Sequence, residues 1–132
     1  MFAVTTAASE RATLDRVLAL VGEPCRLERL LPSGETRSVD VQAAVRDYNA
    51  VEIGQSNGGL QAGFSKVIMS STEIDAAGWP DLVTLATQTA DDPRIPRRGD
   101  RFIVQGRARI VQAAWAAPRI GGELVRIEMT IK

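Results

Sequence analysis

The chain has 132 residues, 45% of them apolar and 24% charged, so it is long enough to bury one core without metal or disulfide staples. Its 16 basic and 16 acidic side chains cancel, which excludes attraction of the monomer to DNA or to an anionic membrane through net charge. The chain has no histidine, and this removes the usual general base and the commonest metal ligand. No apolar run approaches the length of a membrane span. We therefore expect a protein that is not an enzyme, with no cofactor, no metal and no membrane partner.

The first predicted element is a helix over residues 6–21. Apolar side chains between Leu14 and Val21 repeat at the spacing of one helical stripe, and Thr6 or Ser9 can cap its start. A helix of this length is not stable alone. We expect it either to cover one end of the barrel that follows or to dock on a neighbour.

Two strands are predicted next. Residues 25–31 form the first, a turn follows around Gly34, and residues 39–46 alternate between apolar and polar side chains, with Tyr48 extending them. The pattern indicates a sheet with one face in water. Cys25 is the single cysteine, so it cannot form an internal disulfide, and we expect a small buried side chain there. A lone thiol fits a reducing cytoplasm.

Residues 52–65 contain four glycines and little periodicity. A long loop without structure of its own is unusual inside a compact domain and is generally functional. The spacing of a phosphate-binding loop is absent, although the segment ends near Lys66. We predict a flexible, mobile projection between two strands that serves as an assembly or gating loop. The residues assigned to it are Gly54, Gln55, Ser56, Asn57, Gly58, Gly59, Leu60, Gln61 and Phe64.

The middle of the chain is less regular. Residues 66–74 are predicted to form a strand, and Trp79 anchors the turn that follows. Residues 81–89 fit a short helix and an extended segment equally well. Residues 91–96 are a polar, proline-marked connection.

Residues 97–132 contain three short alternating runs separated by glycine turns, the pattern of consecutive antiparallel strands. The Arg-Gly-Asp tripeptide at 98–100 precedes the first run, where a turn is expected. The predicted fold is mainly β: a small antiparallel β-barrel or sandwich with an N-terminal helix and one long loop. Residues 1–132 form a single domain.

Arginines are dense in this last third of the chain. Arg107 and Arg109 share a strand face, and we expect Arg101 to line up with them across the sheet. They form either a solvated face with acidic partners or a patch for DNA phosphates or an acidic subunit. Trp115 fits a core position and a subunit contact equally well. The candidate interface residues are Arg98, Arg101, Arg107, Arg109 and Trp115.

The closing strands also carry a resemblance. Gly99-Asp100, Gly106, Ile110-Val111 and a last strand over residues 124–131 follow one another in an order that resembles the small head–tail joining proteins of tailed double-stranded-DNA phages. These are also called head-closure, stopper or head-completion proteins. The resemblance leaves open a role as tail terminator or adaptor.

That resemblance implies a homo-oligomeric ring in a virion or prophage particle. The ring would lie below the portal complex, close the DNA exit channel and present a docking surface to the tail. It implies portal or adaptor and tail proteins as partners, contact with double-stranded DNA as an open option, and a location in the host cytoplasm and then in the virion. The rival hypothesis is a monomeric, OB-like β-barrel module that binds nucleic acid or a peptide.

Overall fold

A computed structural model describes residues 6–60, 62–80, 92–116 and 119–132. The undecided segment 81–89 lies outside them, as does Asp91. The described elements in chain order are α1 (Ala7–Val21), β1 (Glu23–Leu30), β2 (Thr36–Asp47), α2 (Ala50–Gln55), β3 (Ser65–Ser70), α3 (Thr72–Ala77), β4 (Arg101–Val104), β5 (Arg107–Ala116) and β6 (Arg126–Ile131).

The six strands close into an antiparallel barrel in the order β1-β2-β3-β6-β5-β4, and pairing of β4 with β1 completes it. The mainly β fold predicted from the sequence is confirmed, and it is a barrel. Alternate residues of each strand point inward, because successive side chains of a strand lie on opposite faces. Fully buried inward residues include Leu27, Val67, Met69, Phe102 and Ile127.

Helix α1 begins where the sequence predicts. The hydroxyl of Thr6 caps it by accepting a hydrogen bond of 3.0 Å from the N–H of Ser9. The helix packs against β2 and β3, with Leu18 buried. Arg11 adds a polar anchor by donating to the carbonyl oxygen of Leu124 at 2.8 Å. The helix therefore covers part of the barrel wall.

A buried ion pair holds the connection that leads into β4. The guanidinium of Arg29 donates to both carboxylate oxygens of Asp100, the last residue of the Arg-Gly-Asp tripeptide, with a shortest distance of 2.8 Å. It also donates to the carbonyl oxygens of Pro93 and Ile95. Its Cζ lies 4.5 Å from the ring centroid of Trp79. The tripeptide is thus a structural turn, as predicted, and its carboxylate is buried.

The strand predicted over residues 66–74 is wrong in its second half. β3 ends at Ser70, and α3 follows, ending at Gly78 in the left-handed conformation with φ 65°. Glu73 projects from α3 to the edge of β2, where its carboxylate accepts a 2.6 Å hydrogen bond from the N–H of Gln42. Two features of the sequence indicate this helix, namely Gly78 after its last residue and the acidic side chains of Glu73 and Asp75 in its first turn.

The interpretation of residues 52–65 as a loop without structure of its own is also wrong in part. The segment does connect β2 to β3, but it begins inside α2 and its last residue, Ser65, belongs to β3. The cause is a capping box, in which Asn49 and Glu52 each accept a hydrogen bond from the other's N–H. Phe64 is buried rather than projecting.

Candidate functional site

The segment after α2 and the closing strands line one groove of about 570 Å³. The segment contributes Ser56, Gly59, Leu60 and Phe64. The other lining residues come from the last third of the chain and are Arg98, Gln112, Ala113, Thr130 and Lys132. Four residues assigned to the assembly loop therefore share a surface with one of the predicted interface arginines. Gln61, also assigned to that loop, lies outside the described residues.

Helix α2 is fixed to the barrel before the groove begins. Both carboxylate oxygens of Glu52 accept hydrogen bonds of 2.9 Å from the guanidinium of Arg46 on β2. The bonds from Arg46, and then that from the N–H of Asn49, lower the pKa of Glu52 to about 2. The carboxylate thus stays ionised far below neutral pH.

A tight turn follows α2. The hydroxyl of Ser56 donates to the carbonyl oxygen of Ile53 at 2.7 Å and accepts from the N–H of Leu60 at 2.9 Å. Asn57 and Gly58 between them have φ of 54° and 85°, in the left-handed region that asparagine and glycine tolerate best. The hydroxyl thus holds the turn that brings Leu60 to the groove.

Arg109 secures the other end of the segment. Its guanidinium donates to the carbonyl oxygen of Gly63 at 2.7 Å and to the hydroxyl of Ser65 at 2.8 Å. The same hydroxyl donates to the carboxylate of Asp47 at 2.6 Å. We name this set of contacts the Arg109 clasp. An arginine predicted for an intermolecular contact face therefore joins β5 to the glycine-rich segment of its own chain.

Phe64 is the aromatic residue that lines the groove, and it is buried. Phe64 has 8% of its surface exposed. Its carbonyl oxygen accepts from the N–H of Tyr48 at 3.3 Å, and the Tyr48 hydroxyl lies 2.9 Å from that of Thr130. The Nζ of Lys132 lies 6.0 Å from the Phe64 ring centroid. A phenylalanine with so little exposed surface is not free to stack on a nucleic-acid base.

The groove is electropositive. Among the described residues, Arg98 and Lys132 supply its charged lining side chains, and no Asp or Glu side chain lines it. Arg98 is exposed and forms no ion pair within the described part of the chain. Leu60 and Ala113 supply apolar surface beside these cations. The combination suits a segment that carries both a carboxylate or phosphate and an apolar side chain.

The expectation that Arg101 lines up with the arginines of β5 is wrong. In the register of β4 and β5, Arg101 is opposite Ile110, whereas Arg109 is opposite the inward-facing Phe102. Because cross-strand partners share a face, Arg101 and Arg109 lie on opposite faces of the sheet. Arg101 instead forms an ion pair of 3.1 Å with Glu28 on β1.

Trp115 lies on the outside of the barrel because of a register shift. A bulge between Val111 and Ala113 inserts one residue into β5, so Trp115 faces outward, opposite Glu128. It is an exposed side chain, as is that of Arg107 in the β4–β5 hairpin. Both are accessible, and neither lines the groove.

The Cys25 thiol is a buried side chain of β1 and not a reactive group. Burial, and then the charge of Glu23, raise the pKa of the Cys25 thiol to about 12, so it stays protonated on its strand. Residues 6–60, 62–80, 92–116 and 119–132 contain no group of three His, Cys, Asp or Glu side chains placed to hold a metal ion. None of the helices in those ranges has the length and hydropathy needed to cross a membrane.

The comparisons with known proteins assign no family. No protein-family model matches the chain, and no curated protein is similar enough to be matched.

Proposed function

We propose that this protein is a structural component of a tailed phage or prophage, which joins the DNA-filled head to the tail. In this role copies of the chain form a ring that closes the DNA exit channel below the portal complex. The chain acts by binding its neighbours in the host cytoplasm during assembly and then remains in the virion.

One observation carries the proposal. The segment singled out as an assembly loop and Arg98 from the turn before the closing strands line the same groove, although they are far apart in the sequence. Among the described residues, the groove combines two cationic side chains with apolar side chains and no Asp or Glu, which suits an acidic and partly apolar segment of an adjoining protein. The order of strands and turns in residues 97–132 resembles that of head–tail joining proteins. This resemblance is the reason for proposing a portal or tail protein as the partner.

The scaffold suits a mechanical role. The barrel closes on itself, so the strands from β1 to β6 form one rigid unit. The segment after α2 is held at both ends, by the Arg46–Glu52 contact and by the Arg109 clasp. Binding surfaces placed on a rigid scaffold lose little conformational freedom when a partner docks.

The OB-like hypothesis draws support from the same groove, since Arg98 and Lys132 could also bind phosphates. Single-strand binders add aromatic platforms on which bases stack. Phe64, the aromatic residue of the groove, is buried. The groove therefore favours a protein segment over a single-stranded nucleic acid.

The test is binding to the portal protein encoded in the same genome. Sedimentation of the purified chain with the portal oligomer is expected to show a complex. Replacing both Arg98 and Lys132 by Glu is expected to weaken that complex by about tenfold or more, because the change reverses both cations of the groove. Arg37→Glu, at an exposed arginine outside the groove, is the matched control and is expected to leave affinity unchanged.

Two results would overturn the proposal. One is the finding that the chain stays monomeric, does not bind the portal oligomer and binds single-stranded DNA with a steep salt dependence. The other is a set of neighbouring genes that encode no portal, capsid or tail protein.

A further inference from the structure

The turn that follows α2 contains an asparagine followed directly by a glycine. The carbonyl oxygen of Ser56 accepts a hydrogen bond of 3.1 Å from the N–H of Gly59, which closes the turn. Its two central residues, Asn57 and Gly58, both have a positive φ, as in a turn of type I′. Asn57, Gly58 and Gly59 are exposed. The asparagine and the peptide group after it therefore lie at the surface, where water reaches them.

An asparagine can react with the peptide nitrogen of the residue that follows it. The nitrogen of Gly58 attacks Cγ of Asn57, and a new C–N bond closes a cyclic imide. The side-chain nitrogen takes up the proton of the Gly58 N–H and leaves as ammonia. Water then opens the imide at one of its two carbonyl carbons and gives aspartate or isoaspartate. The acid formed releases its proton at neutral pH, so the product carries a negative charge.

Gly58 leaves the attacking nitrogen unhindered. Glycine has no Cβ, so no side chain stands beside this nitrogen. Within the described part of the chain, no acceptor is bonded to the N–H of Gly58, whereas the N–H groups of Gly59 and Leu60 both donate to Ser56. The attack therefore does not require a hydrogen bond of the nitrogen itself to break.

The attack does require the turn to open. In a type I′ turn the Cβ of the first central residue and the next peptide nitrogen lie on opposite sides of the Cα–C bond, so this bond must rotate. The rotation separates Gly59 from the carbonyl oxygen of Ser56. The glycines at 58 and 59 accommodate the new backbone conformation without steric cost. The opening is therefore confined to one surface turn.

Asn49, the other asparagine of the chain, is held far more firmly. Its side chain accepts from the N–H of Glu52 at 2.9 Å, and its own N–H donates to the Glu52 carboxylate at 3.1 Å. Its carbonyl oxygen accepts from the N–H of Ile53 at 3.1 Å. Reaction at Asn49 would break the capping box and the start of α2, and the Cβ of Ala50 stands beside the attacking nitrogen.

Gln105 repeats the backbone of Asn57 with a longer side chain. Its φ is also 54°, and Gly106 after it has a φ of 74°. Both residues are exposed. The additional methylene group makes the corresponding ring larger and slower to close. The chain therefore contains one reference with the same side chain and another with the same backbone.

We propose that Asn57 is a site of spontaneous deamidation in the folded protein. The new carboxylate arises in the turn between Ser56 and Gly59, which both line the groove. It adds a negative charge beside a lining whose described charges are those of Arg98 and Lys132. An acidic partner segment is then repelled. This effect on binding rests on the proposed function, whereas the reaction itself does not.

The experiment stores the purified protein in mildly alkaline buffer, where the attacking nitrogen loses its proton more readily. Samples are digested with a protease that acts in acid, which stops the reaction, and the amide content of each peptide is measured by mass spectrometry. We expect Asn57 to lose its amide at least about tenfold faster than Asn49 or Gln105. Equal rates at Asn57 and Asn49, or an Asn57 that keeps its amide, would overturn the inference.

Asn57→Gln is the variant that blocks the reaction. Gln105 shows that glutamine adopts the same φ in this chain, so the turn is expected to form. Isoelectric focusing of the stored wild-type protein should show an acidic form that accumulates with time. The same form accumulating equally fast in Asn57→Gln would place the reaction elsewhere in the chain.

Asn57→Asp separates this inference from the proposed function, because it carries the charge of the product from the start. We expect it to bind the portal oligomer about threefold more weakly than the fresh wild type. If Asn57 loses its amide but Asn57→Asp binds like the wild type, the modification site stands and its effect on the groove is wrong. If Asn57 loses its amide and no version of the chain binds the portal oligomer, the site stands and the joining role falls.

Discussion

At the scale of single residues, Arg29 and Asp100 form a buried ion pair that joins β1 to the turn before β4. Their side chains are both more than nine-tenths buried, and the guanidinium is bonded on several sides. A buried pair of this kind adds little net stability when compared with apolar residues of the same volume. Losing one partner is nevertheless costly, because the other charge is left without compensation in a medium of low dielectric constant.

We therefore expect Asp100→Asn to lower the free energy of unfolding by about 3–5 kcal/mol, as measured by urea denaturation. Asp40→Asn is the matched control, since Asp40 pairs with Arg26 at 2.9 Å on the exposed face of the sheet. Its cost is expected to stay below about 1 kcal/mol. Equal losses in the two variants would contradict the role assigned to the buried pair.

Among the elements, the segment from α2 to β3 differs most from its sequence-based prediction. Its glycines predicted a loop without structure of its own, but the capping box at Asn49 and Glu52 begins a helix, and the Arg109 clasp bonds the far end to β5. The Asn-x-x-Glu spacing was readable in the sequence. The clasp was not, because it joins Arg109 to residues more than 40 positions earlier.

Removing the clasp should make this segment more accessible to protease. Arg109→Gln loses a charged donor to Gly63 and Ser65, and such hydrogen bonds contribute about 1.5–3 kcal/mol. We expect the rate of cleavage between residues 56 and 63 to rise about tenfold. Mass spectrometry of the fragments measures this rate and locates the cut. Arg107→Gln, two residues away, should cleave like the wild type. Unchanged cleavage in Arg109→Gln would mean that the clasp does not hold the segment.

At the scale of the whole molecule, stability depends on closure of the barrel by β4. This strand has four residues, pairs with β1 on one side and β5 on the other, and buries Phe102 completely. Closure of the barrel requires β4 to pair with β1, and these two strands are far apart in the sequence. The barrel therefore cannot close until this long-range pairing forms. We expect the described core to unfold as one cooperative unit.

Phe102→Ala is expected to lower the free energy of unfolding by about 3–5 kcal/mol, because it leaves a cavity in a closed core. Leu20→Ala, at an exposed position of α1, should change it by no more than about 0.5 kcal/mol. Fluorescence and far-ultraviolet circular dichroism should report the same transition in both variants. A separate early transition for β4 and β5 would contradict cooperative closure.

The sequence by itself determined what depends on neighbouring residues. Helix α1, with Thr6 as one of its two candidate caps, the alternation of the closing strands and the turn before β4 were all predicted, because periodicity and turn chemistry act over a few positions. The mainly β class followed from the same local patterns. For the site, the sequence singled out two separate features, the segment with Ser56 and Leu60 and the arginine Arg98. It did not predict the groove that these residues share.

Only the tertiary structure decided which distant residues meet. The register of β4 against β5 places Arg101 and Arg109 on opposite faces, and the bulge in β5 turns Trp115 outward. The pairing of Arg29 with Asp100 spans 71 positions. A shift of one residue in any strand would exchange its inward and outward side chains, and local sequence patterns do not fix pairing between distant strands. Closure of the barrel fixed those registers, and with them the groove.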